Sequence, residues 1–148
     1  MNVWSNMLLI AGTSRNVGKT TFACKVIEQI SRHQTVVAIK ITPHFHTDCL
    51  TCLPLVKNEN LFIAEETSNS ISKDSSKMLA AGASKVFYIQ ATDEKLKDAL
   101  EYLMPLIPHD VALVCESAAL RNCIIPGLFV VMSVSDSISK NSNLIPLA

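Results

Sequence analysis

Between the apolar run Met7–Ala11 and a segment with helical spacing lies Gly-Thr-Ser-Arg-Asn-Val-Gly-Lys-Thr-Thr, residues 12 to 21. Its residue types suit one chemistry, the wrapping of a phosphate. A phosphate needs many hydrogen-bond donors at close range, and a backbone loop supplies them only where side chains leave room and glycine permits unusual dihedrals. Gly12 and Gly18 meet that need, and they are half of the chain's four glycines. Lys19 has the reach for terminal phosphates, and Thr20 offers a hydroxyl to magnesium. Thr13, Ser14, Arg15, Asn16, Val17 and Thr21 complete the candidate phosphate-binding loop, with the Arg15 charge able to offset a triphosphate. The spacing departs from G-x-x-x-x-G-K-S/T, because Thr13 stands where the first glycine belongs and Gly12 comes one residue early. The bland alternative is a glycine turn that opens an ordinary helix, with Lys19 solvated.

Two further residues join the loop as candidates. Lys40 closes the apolar run "TVVAIKI", where a lysine would reach a ligand at the sheet edge or merely snorkel to water. Glu116 closes the run "DVALVCE", and its carboxylate is suited to holding magnesium, directly or through water. Lys19 and Glu116 are the catalytic candidates; Thr20 and Glu116 are the metal candidates. Phosphoryl transfer asks mainly for positioning and charge neutralisation, so no covalent nucleophile is needed. Asp48 and Asp74 are possible members of the same site, though Asp74 equally fits a first-turn acid. "HFHTDCLTC" gathers His44, His46, Cys49 and Cys52, chemically adequate for tetrahedral zinc but without the usual longer separation between ligand pairs. The alternative has the histidines facing a substrate and the cysteines incidental.

The elements that must carry these residues are legible as periodicity. A strand at Met7–Ala11, a helix from about Lys19 to Arg32 and a strand at Thr35–Ile41 form a first unit, with Phe22, Val26, Ile27 and Ile30 on one helix face. A polar stretch from Thr42 to Asn60, containing Pro43 and Pro54, reads as a functional loop. After Leu61–Ala64 come a helix from about Lys73 to Ala81, a stop at Gly82 and a strand at Lys85–Gln90. Thr92 or Asp93 caps a helix reaching about Leu103, before Pro105 and Pro108. Strands at Val111–Cys115 and Leu128–Met132 precede a Ser- and Asn-rich tail from Ser133 to Ala148. Alternating strands and helices imply an α/β fold with a mostly parallel sheet and helices on both faces, a P-loop NTPase fold with its ligand at the carboxyl ends of the strands.

Composition bounds the rest. A chain of 148 residues, 49% hydrophobic and 18% charged, fits a single nucleotide-binding domain spanning 1–148. Thirteen basic residues balance thirteen acidic ones, so nothing draws the whole molecule to nucleic acid or to a membrane. The N-terminal segment lacks a basic n-region and a long apolar run, which predicts a cytoplasmic protein. Five cysteines without a secretory signal predict reduced thiols, with Cys24, Cys115 and Cys123 as small core residues.

The form "GTSRNVGKTT" resembles the P-loop of dethiobiotin synthetase and of cobyrinic acid amide synthases. Ser14 occupies the position where the division-site and partitioning ATPases carry a signature lysine. "VVAIKITPHFHTD", "SKDSSKMLAAGASKVFYI" and "DVALVCESAAL" are similar, in order, to three segments of the molybdopterin-guanine dinucleotide biosynthesis protein B family. Those segments are Ile-Lys-His-Thr-His-His followed by an acid, Lys-Asp-Ser with Ala-Gly-Ala before a strand, and a strand ending in glutamate. The matches run from about Met7 to Leu120. The resemblance implies a homodimer that binds GTP and Mg2+, hydrolyses GTP weakly and assists a molybdopterin guanylyltransferase in attaching a guanine nucleotide to molybdopterin. It also implies a ligand-edge role for Lys40 and a place for Glu116 near magnesium. The chain departs from the family at Thr13, at the spread pair His44 and His46, and at Ser117, and it has no Asn-Lys-x-Asp motif for reading a guanine base. Two other functions stay open: an ATP-dependent ligase like dethiobiotin synthetase, and a binding module without catalysis.

Overall fold

In a computed structural model the described residues are 1–14, 17–45 and 49–133. Seven strands form one sheet: β1 (Asn2–Gly12), β2 (Val36–Thr42), β3 (Cys52–Asn58), β4 (Leu61–Glu66), β5 (Lys85–Ala91), β6 (Ala112–Glu116) and β7 (Ile124–Met132). Three α-helices accompany them: α1 (Lys19–Ser31), α2 (Asp74–Ala80) and α3 (Leu96–Leu103). The strand order is β3-β4-β5-β2-β6-β1-β7.

The expectation of a mostly parallel sheet with helices on both faces, in a P-loop NTPase fold, is corrected here. The sheet is mixed: β3 pairs with β4, and β4 with β5, in antiparallel register, beside parallel pairings among β5, β2, β6, β1 and β7. Strand takes up 41% of the described residues and helix only 29% even with three short 3-10 turns included. The helices have thirteen, seven and eight residues, a thin cover for seven strands. The physical reason begins at the segment read as a loop. Leu53, Leu55 and Val56 belong to β3, and only Glu59 and Asn60 separate it from β4. Two residues cannot hold the crossover of a dozen or more that parallel pairing needs, so a hairpin results. Asn60 takes φ 64 at that turn, a conformation asparagine tolerates better than most residues. Pro54 sits on an edge strand beside a register shift, where its missing N–H costs no central ladder bond.

Two apolar clusters lie on opposite faces of the sheet. Ile10, Ala38, Val86 and Val114 meet Ala23 and Ile27 of α1 and Met78 of α2. On the other face Leu9, Ile39, Ile63, Phe87, Ile89 and Leu113 meet Leu96, Ala99, Leu100 and Leu103 of α3. The alternation of neighbours such as Leu9 and Ile10 follows the two-residue repeat of a strand. β1 begins earlier than its apolar run predicts, because Asn2–Trp4 pair only with β7 at the sheet margin, where Val3 is exposed. Opposite Gly127 the register between these two strands shifts, from Trp4↔Pro126 to Leu8↔Leu128.

Candidate functional site

Strand parity assembles the first cluster. Lys40 lies two residues after Ala38, and Glu116 two after Val114, so both project to the face that packs α1 and α2. Lys40 and Glu116 are also register partners across β2 and β6, while Ile10 of β1 is the partner of Glu116 on the other side. The ammonium and the carboxylate are thereby brought together, Lys40 Nζ lying 3.1 Å from Glu116 Oε2. Lys40 reaches Asp74 Oδ2 of α2 as well, at 3.3 Å. From the first turn of α1, the Thr20 hydroxyl lies 3.2 and 3.1 Å from the two Glu116 oxygens. Glu116 is 2% exposed. A carboxylate so desolvated needs such partners.

The loop before α1 is shaped by its two glycines. Gly18 precedes the helix at φ 88, a left-handed conformation that favours glycine. Its carbonyl accepts the Phe22 N–H at 2.9 Å. A Cβ on Gly12 would stand 2.6 Å from Lys19 Cδ and 2.7 Å from Val17 Cγ2, so the lysine stem folds back across the loop only because that position is bare. α1 starts without a side-chain cap and without an acidic residue in its first turn. Its N-terminal dipole is therefore left to favour an anion.

These groups line an open cleft of about 1160 Å³ at the carboxyl ends of β2 and β6, with Ser14, Val17, Gly18, Lys19, Thr20 and Thr21 along one wall. Lys40, Asp74 and Glu116 line it too, as do Lys73 and Lys77 of the α2 side. Thr13 is not among the residues that line that wall. It is buried, and both its N–H and its hydroxyl point at the Met132 carbonyl, at 3.0 and 3.5 Å, which ties the loop to β7. Arg15, Asn16, His46 and Asp48 lie outside the described residues. His44 is exposed at the cleft, where its backbone N–H donates to Thr42 Oγ1.

A second cluster at the far end of the same cleft was missed by sequence reasoning. Glu66, the last residue of β4, is 2% exposed, and Lys73 Nζ lies 2.7 Å from its Oε1. Ser75 Oγ donates to Oε1 at 2.7 Å, Thr51 Oγ1 to Oε2 at 2.7 Å, and the N–H groups of Thr67 and Ser68 also reach Oε2. Burial opposes the Glu66 charge, but the hydrogen bonds from Lys73, Ser75, Thr51 and the Ser68 N–H outweigh it and hold the carboxyl below its ordinary value. The signal available in the sequence was weak: "EETS" at a strand end and "SKDSS" at a helix start, each of which reads as ordinary turn chemistry.

Cys49 and Cys52 form a disulfide, which corrects the expectation that all five thiols are reduced. Their sulfurs and a Glu66 oxygen lie within 4.8 Å of one another, the one such metal-suited group among the described residues. With the sulfurs joined and Glu66 filled by donors, that group is not a zinc cradle as it stands. Cys24 and Cys123 are half-buried and Cys115 is buried. Burial pushes the Cys24 and Cys115 thiols up, as befits small core residues. No helix among the described residues is long and apolar enough to cross a membrane.

Compared with known proteins, the chain matches no family model, and no curated protein or solved structure at a significant level.

Proposed function

We propose that the chain binds a magnesium nucleoside triphosphate in the cleft, with the polyphosphate against Gly18, Lys19 and the first turn of α1. The observation that carries this reading is the convergence of Thr20, Glu116 and Lys40 directly below the glycine loop. The donor set fits magnesium. Adjacent oxygens of an octahedral shell with bonds near 2.05 Å stand about 2.9 Å apart. The Thr20 and Glu116 oxygens are 3.1 Å apart at their closest, so a small contraction would let both hold the ion. Magnesium, when bound, would offset the charge of the phosphate oxygens. Lys19 and Lys40 supply positive charge on the protein's own account, and the loop orients the chain of phosphates.

The family resemblance makes GTP the favoured nucleotide, and attachment of a guanine nucleotide to molybdopterin, with a molybdopterin guanylyltransferase as partner, the process served. The same reading takes the protein to be a cytoplasmic homodimer. Hydrolysis is weak in this proposal, as the resemblance implies, with Glu116 assigned to Thr20, Lys40 and the metal rather than to orienting a water. That same feature favours, as the second reading, a nucleotide-binding module without catalysis.

Isothermal titration with magnesium GTP and magnesium ATP tests the proposal. Tighter binding of GTP is expected, together with slow phosphate release. Binding of neither nucleotide would overturn the reading, and equal binding would overturn the guanine preference.

A further inference from the structure

The disulfide belongs to the Glu66 and Lys73 cluster, apart from Thr20 and Glu116, and its two sulfurs are not equivalent. Lys73 Nζ stands 2.6 Å from Cys49 Sγ and 3.8 Å from Cys52 Sγ. The ammonium is held in place by Glu66 at 2.7 Å, and Glu66 in turn by Ser75 and Thr51. The Thr51 hydroxyl also touches Lys73 Nζ, at 2.7 Å. Both cysteines are half-buried rather than enclosed, and Cys49 and Lys73 line the open cleft, so a reagent in solution can reach the pair. By contrast Cys115 is fully buried.

We propose that Cys49 and Cys52 form a reversible thiol–disulfide exchange site whose co-reactant is a dithiol reductant and whose released thiolate is Cys49, held by Lys73. The asymmetry fixes the direction of attack, since the sulfur nearer a fixed positive charge is the better leaving group. One thiolate of the dithiol bonds to Cys52 Sγ. The Cys49–Cys52 bond breaks, and its electron pair stays on Cys49 Sγ beside the Lys73 ammonium. The second thiolate of the reductant then attacks its own sulfur in the mixed disulfide, closing the reductant's disulfide and releasing Cys52, which takes up a proton. Two electrons have passed to the protein; of the two protons leaving the dithiol, one is on Cys52 and the other is in solvent. In the reverse direction Cys52, having lost its proton, attacks the reductant's disulfide to give the same mixed disulfide, and the Cys49 thiolate then attacks Cys52 Sγ and expels the reductant as its dithiol. This inference does not rest on nucleotide binding.

The test uses the full chain. Dithiothreitol at graded ratios of thiol to disulfide, quenched by iodoacetamide and read by peptide mass, should show Cys49 and Cys52 gaining label together as one two-electron couple. In the fully reduced protein, Cys49 should be alkylated at least about tenfold faster than Cys52 at pH 7, with a midpoint of its rate profile below that of an ordinary thiol. Lys73→Met should remove that difference in rate. Because this change leaves Glu66 without its cation, the pH profile of the unaltered chain is decisive by itself. Equal alkylation rates at the two cysteines across pH 5 to 9 would overturn the proposal. So would two free thiols in the oxidised protein, or stoichiometric zinc binding by the reduced protein that protects both thiols and is lost in Glu66→Gln.

Discussion

Glu66 and Glu116 invite comparison. Each ends a strand, is 2% exposed, and meets a threonine hydroxyl and a lysine ammonium. They differ in what else approaches. Glu66 also receives Ser75 and two backbone N–H groups from the chain that follows it, so its acceptor sites are filled by neighbours that move with the fold. Among the described residues, Glu116 has only Thr20 and Lys40 as hydrogen-bond or ion-pair partners, and both are side chains from other elements. A saturated carboxylate stabilises. A carboxylate held by two movable side chains can exchange one of them for a ligand.

The largest expected effect separates the two. Glu66→Gln removes the charge that compensates Lys73 and should cost about 3 kcal/mol of unfolding free energy. Glu116→Gln should cost about 1 kcal/mol, with the loss appearing in magnesium dependence instead. Urea denaturation of both variants makes the comparison, and equal costs would mean that the two carboxylates are held alike. Next in size, Lys19→Ala should weaken magnesium GTP binding about 30-fold, roughly 2 kcal/mol. A smaller effect, about tenfold, is expected of Gly12→Ala, whose new methyl group meets Lys19 Cδ at 2.6 Å and displaces that stem rather than backbone. Titration calorimetry reads both.

The smallest effect is in acid. Because the folded-state value of Glu66 is lowered, its contribution to stability is complete above the ordinary glutamate value, near 4.5, and is lost as pH falls through the lower folded value. Urea midpoints of the unaltered chain should therefore fall between pH 6 and pH 3 by more than those of Glu66→Gln. Parallel curves for the two proteins would mean that Glu66 is not specially held.

The same contrast explains what could be read in advance. Lys19, Thr20, Lys40 and Glu116 were legible because each sits at a fixed point of a periodic element: the start of a helix, or the end of an apolar strand. The helix expected over Lys19–Arg32 is α1, Lys19–Ser31, and the strand expected over Thr35–Ile41 is β2, Val36–Thr42. The tie of Thr13 to the Met132 carbonyl was not legible, because the two lie 119 residues apart. The antiparallel edge was hidden because Pro54 and the polar neighbours of Leu53, Leu55 and Val56 resemble loop chemistry, and an edge strand needs only one apolar face. Glu66 and Lys73 were invisible as a pair because pattern reasoning works within elements, whereas their meeting depends on how α2 lies across the end of β4.

The register shift between Trp4 and Leu8 carries a consequence for the far end of its strand. Three residues of β1, Ser5 to Met7, stand against the single Gly127 of β7, and the stretch Leu8–Gly12 leads straight into the loop. Since the strand repeat is two, deleting one residue from that excess would swap inward and outward positions downstream, sending Leu9 toward α1 and Ile10 toward α3. The joint therefore works as a phase setter: a shortening some five residues upstream of Gly12 would swing the glycine loop to the wrong side of the sheet without touching any group that lines the cleft.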